Sequence, residues 1–75
     1  MEKYLDNKVL FMIFCIESLA EKIGKQGSYV YDLFTKRTNI LNDYIIKNYE
    51  VLHSQGKKYI IEDLENRLHE EGVVI

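Results

Sequence analysis

The chain begins with its greasiest stretch. Val9, Met12, Ile13, Ile16, Ala20 and Ile23 recur at helical spacing and line one stripe. Leu10, Phe11, Phe14 and Leu19 widen that stripe until the early turns are apolar nearly all round. Such a helix is expected to be central or covered on two sides. Its later turns become amphipathic, with Glu17, Glu21, Lys22 and Lys25 facing outward. Asp6 or Asn7 is placed to cap the start, and Gly24 and Gly27 bracket the end.

Three shorter patterns follow. Ser28 reads as a second N-cap, ahead of an i, i+3, i+4 set of Val30, Leu33 and Phe34 with Tyr31 beside them. Lys36 and Arg37 close that helix where the dipole is negative. Asn39 or Asn42 can cap a third helix, whose shared face is Leu41, Tyr44, Ile45, Tyr49 and Leu52. A turn at His53-Ser54-Gln55-Gly56 leads to a fourth helix buried through Ile60 or Ile61, Leu64 and Leu68. Gly72 is a natural stop, after which Val73-Val74-Ile75 forms an apolar tail that can dock, pair as a strand or fray. The pattern predicts an all-α fold: one domain over residues 1–75, a compact bundle of about four short helices with a short apolar C-terminal tail.

Composition supports that frame and narrows the chemistry. The 75 residues are 47% apolar, and Val, Ile and Leu together number twenty-two, enough for a thin core and some apolar surface besides. Twelve acidic against ten basic residues give a net charge of −2. The single Cys15 excludes a disulfide scaffold, fits a reducing compartment, and reads as a small buried hydrophobe. The apolar run from Val9 to Ile16 is too short for a membrane span. Glu2 and Asp6 offset Lys3 and Lys8, so the leading segment lacks the positive bias of a secretory signal. A cytoplasmic location is the expectation.

Catalytic signals are weak. Glu62-Asp63 and Glu70-Glu71 are neighbouring acids on a solvated face, without the cleft that would separate their pKa values. His53 and His69 have no cysteine partners, and the four glycines form no phosphate loop, so no metal or other cofactor is expected. The reading is a non-enzymatic protein.

Two kinds of partner remain. A helix-turn-helix DNA-binding regulator is the alternative, since residues 25–58 carry six basic and three acidic residues, a local charge of +3. Its supposed recognition helix, from Leu41 to Glu50, has one cation and two acids and lacks the side chains that read base edges. The leading expectation is a protein-interaction module. Its candidate partner-binding residues are Tyr31, Tyr49, His53, Gln55 and Tyr59, because Tyr suits protein interfaces. The corner from Tyr49 to Tyr59 also serves as a helix-to-helix turn, with Gly56 supplying a positive φ and His53 and Gln55 bonding loose backbone groups. Self-association is a further expectation for so small a core.

Three blocks carry a family resemblance: Phe14-Cys15-Ile16-Glu17; Val30-Tyr31-Asp32-Leu33-Phe34; and Asp43-Tyr44-Ile45 through Tyr49-Glu50-Val51-Leu52-His53-Ser54-Gln55-Gly56 to Tyr59-Ile60-Ile61-Glu62-Asp63-Leu64. The chain resembles a family of small bacterial proteins catalogued as domain of unknown function 3791. Ser54 stands where Thr is familiar, and Thr38-Asn39 replaces a glycine-containing turn. The resemblance implies a small, mainly helical protein with no established activity. It also implies a gene setting beside, or fused to, a second family that resembles ADP-ribosyltransferases. An antitoxin-like or accessory binder of that neighbour is the corresponding expectation.

Overall fold

In a computed structural model, residues 6–75 are described, and Glu2 and Lys3 of the leading segment lie outside them. The architecture is all-α, with no strand among the described residues. Helix α1 spans Asn7–Ile23 and α2 spans Gly27–Asp32. A π-helical segment, Leu33–Arg37, prolongs α2 without a break. A second π-helical segment, Leu41–Ile46, leads through a turn into α3, Tyr49–Leu52. Helix α4 covers Lys57–Glu70. The described residues therefore make four helical stretches, as the pattern predicts, with the second and third partly unwound into wider π turns.

The helix ends are set by local chemistry. Asp6 caps α1, its Oδ1 accepting from the Val9 N–H at 2.9 Å. Gly24 ends α1 in the left-handed region at φ 73°, and the Lys25 N–H reaches back to the Ala20 carbonyl at 3.0 Å. Gly72, at φ 87°, ends α4 in the same way, with the Val73 N–H on the Leu68 carbonyl at 2.9 Å. Three sequence expectations are corrected here. The residue flanking α2 is Gln26, not Ser28, because the helix already begins at Gly27. The third stretch is capped by Thr38 rather than Asn39 or Asn42: its hydroxyl accepts from the Ile40 N–H at 3.2 Å and donates to the Leu33 carbonyl at 2.7 Å. Gly56 holds an extended φ of −74° as the residue before α4, so no positive φ is needed there.

That Leu33 carbonyl also accepts the Thr38 N–H at 3.1 Å, an i to i−5 bond that closes the first π turn. The core packs α1, α2, both π segments and α4 around Phe34, Leu19, Ile45, Ile60, Leu64, Leu68, Val30 and Cys15, all essentially without solvent contact. Val73 is buried with them, so the apolar tail docks, while Val74 projects into solvent. Surface ion pairs tie α1 to α4: Lys22 to Glu65 at 3.0 Å and Lys57 to Glu21 at 3.6 Å.

The buried side of α1 is Cys15, Ile16, Ser18, Leu19 and Ala20. Its early turns are not covered on two sides as expected. Leu10 is 49% exposed, Ile13 44% and Phe14 38%.

Candidate interaction surface

The uncovered early turns of α1 have aromatic neighbours on the α3 side. The Phe14 and Phe11 rings lie 6.1 Å apart with a 21° interplanar angle. Phe11 meets Tyr49 edge-on at 5.6 Å. Tyr49 in turn stacks on His53 at 4.3 Å and 9°. These four rings form a ladder that runs from α1 to the end of α3. The last rung follows from helical spacing, because Tyr49 and His53 are one turn apart. It is held by a hydrogen bond, the His53 Nδ1–H donating to the Tyr49 carbonyl at 2.8 Å. Offset and edge-on ring pairs of this kind are favoured by the ring quadrupole.

Beyond Ile13, on the α2 side of α1, lies an open apolar groove of about 330 Å³, lined by Ile13, Ile16, Glu17, Gly27, Ser28 and Tyr31. The exposed stripe of Leu10, Ile13 and Phe14 thus runs between Tyr31 on one side and the Tyr49–His53 stack on the other.

The sequence-derived candidates divide accordingly. Tyr49 and His53 come together, and Tyr31 flanks the same stripe from the groove side. Tyr59 is exposed on the first turn of α4, and Gln55 is exposed in the turn before it; neither belongs to the ladder. Of the bonds expected at this corner, His53 makes one to the backbone, and the turn is also held by the Ser54 hydroxyl donating to the Val51 carbonyl at 2.9 Å. The members missed from sequence are Leu10, Phe11, Ile13 and Phe14. Their signal is the all-round apolar pattern of α1, which by itself does not separate core from exposed surface.

Three other places bring polar or titratable side chains together or bury one. Asp63 accepts a hydrogen bond from the Tyr44 hydroxyl, while the Arg67 guanidinium lies over the Tyr44 ring, 3.8 Å from its centre. Burial, then the Asp63 carboxylate, push the Tyr44 hydroxyl above its ordinary value. This trio pins the second π-helical segment to α4. The Cys15 thiol is pushed up to about 12 by burial, which leaves it unionised and unreactive near neutrality. An open groove of about 470 Å³ between α1 and α4 is lined by Lys22, Lys57, Lys58, Ile61 and Glu62. Two of its three lysines are already paired, with Glu65 and Glu21. Among the described residues no three His, Cys, Asp or Glu side chains converge to hold a metal, and no helix is long and apolar enough to cross a membrane.

Fold and surface together define a small all-α bundle with an uncovered aromatic and aliphatic band. Residues 10–71 match the family described as Protein of unknown function (DUF3791), so the chain belongs to that family. No curated protein and no solved structure matches it.

Proposed function

We propose that this protein is a non-enzymatic interaction module, working in the cytoplasm, whose α1 band docks on a protein partner. The observation that carries the reading is the exposure of Leu10, Ile13 and Phe14 on the most apolar helix of the chain. Contiguous apolar surface of this kind marks interaction sites. Flanking Tyr31, Tyr49 and His53 supply amphipathic rings of the type that anchor interfaces. The partner proposed is the ADP-ribosyltransferase-like neighbour that the family resemblance implies, with this chain acting as an antitoxin-like or accessory subunit. Pairing of two copies through the same band is the competing arrangement.

The DNA-binding alternative draws less support. The exposed residues of the third stretch include Asn42, Asp43, Lys47 and Glu50, a mixed-charge set rather than a cationic one.

The test is co-expression with the adjacent gene product, followed by size exclusion. Co-elution of the wild type, lost in a Leu10→Ser/Phe14→Ser double variant, supports the proposal. Separate elution of the wild type at micromolar concentration overturns it.

A further inference from the structure

The groove between α1 and α2 has a specific chemical character. Its floor is aliphatic, from Ile13 and Ile16, and Tyr31 supplies an aromatic wall. Glu17 is its one charged side chain, exposed and in no ion pair among the described residues. The carboxylate is also placed. Its Oε2 lies 2.6 Å from where a Cβ on Gly27 would stand, so the missing side chain of Gly27 makes room for it at the groove wall.

An aliphatic floor, an aromatic wall and a lone carboxylate are the three contacts that a long cationic side chain seeks. The stem covers apolar surface, the cation sits over the ring, and the head pairs with the acid. The same protein already holds one such cation over a tyrosine ring, with an acid close to that ring. Arg67 lies over the Tyr44 ring at 3.8 Å, and the Tyr44 hydroxyl is bound to the carboxylate of Asp63, one turn from Arg67. Around Tyr31 and Glu17 the ring and the acid are present without a cation among the described residues. About 330 Å³ is at the small end of ligand clefts and suits one side chain rather than a larger molecule.

We infer that the Tyr31–Glu17 groove receives an arginine side chain presented by the protein partner that docks on the α1 band. The inference rests on the reading of that band as an interface and adds the partner's chemistry: an apolar segment carrying an arginine beside it. Arginine is favoured over lysine because its planar guanidinium both stacks on a ring and pairs with a carboxylate through two N–H groups.

The experiment titrates the isotope-labelled full chain with N-acetyl-arginine methylamide and, separately, with the neutral N-acetyl-norleucine methylamide. The arginine probe is expected to shift the amides of Glu17, Gly27, Ser28 and Tyr31, saturating at roughly millimolar concentration. Glu17→Gln, at an exposed position, should weaken that binding by about three- to tenfold. Equal shifts with norleucine, or arginine shifts spread over the acidic face of α4, overturn the inference. So does an unchanged titration in Glu17→Gln, which would leave Glu17 as no more than a favourable charge at the start of α2. In the complex with the neighbouring gene product, Glu17→Gln should weaken binding by about fivefold. Wild-type affinity in Glu17→Gln, with binding lost in Leu10→Ser/Phe14→Ser, refutes the arginine pocket and keeps the interface. Wild-type affinity in both variants refutes the interface reading itself.

Discussion

Replacing Tyr44 by Phe removes one hydroxyl and leaves the ring under Arg67 in place. The lost bond is a charge-assisted one to Asp63, in a half-buried setting. Buried bonds to charged groups contribute about 1.5–3 kcal/mol. Here Asp63 is half-buried and keeps access to water and to the nearby Arg67, so the expected cost falls below that range, on the order of 1 kcal/mol. For a domain of this size that corresponds to a drop of roughly 4–8 °C in Tm. Urea unfolding at pH 7, followed by far-ultraviolet circular dichroism, measures it as a lower midpoint at unchanged slope. The same variant has a pH signature. Tyr44 is held above its ordinary value of 10.0 by burial first and by Asp63 second, against the opposing pull of Arg67. A group whose folded pKa is raised contributes stability that is complete below pH 10 and is lost as pH climbs through the folded value. Tyr44→Phe should therefore lose less stability above pH 10 than the wild type. Cys15 also contributes alkaline loss, between 9.0 and about 12, so both proteins are compared in a Cys15→Ala background. A Tyr44→Phe midpoint equal to wild type at pH 7, with an identical alkaline limb, would refute the claim that this trio locks the second π-helical segment to α4.

Phe34 has no solvent exposure, and Phe34→Ala should cost about 3–5 kcal/mol, enough to populate the unfolded state at 37 °C, as read by urea or thermal unfolding. The Cys15 thiol should resist iodoacetamide at pH 8 in the folded protein and react readily in 6 M urea, because burial and a value near 12 keep it protonated; mass spectrometry counts the adduct. At Gly24, whose φ is 73°, Gly24→Ala should destabilise by roughly 1–2 kcal/mol although nothing lies within 4 Å of the added Cβ, since the penalty is conformational.

How far the fold was legible follows from particular residues. Helical spacing placed Leu64 and Leu68 in the core, and Gly24 and Gly72 at helix ends, because each signal depends only on near neighbours in the chain. The π turns around Thr38 were not legible. The first is closed by a backbone carbonyl, that of Leu33, shared by the Thr38 amide and hydroxyl, and no side-chain period announces that. The outward side of α1 is hidden in the sequence for a different reason. A helix apolar nearly all round does not say which side its own bundle covers, so Ile13 read as core and proved exposed. The candidate surface is half legible: Tyr31, Tyr49 and His53 stand out by their chemistry, whereas the aliphatic and Phe residues that join them emerge only when α1 is set beside α2 and α3.

The central claim is that the uncovered band of α1 is where this protein meets its partner. Hydrogen–deuterium exchange of the chain, alone and mixed with the neighbouring gene product, tests it most directly. The account predicts slowed exchange over residues 10–17 and 49–53, with α4 unchanged beyond its first turn. An exchange pattern identical in the two samples, or protection confined to the outer face of α4, would contradict it.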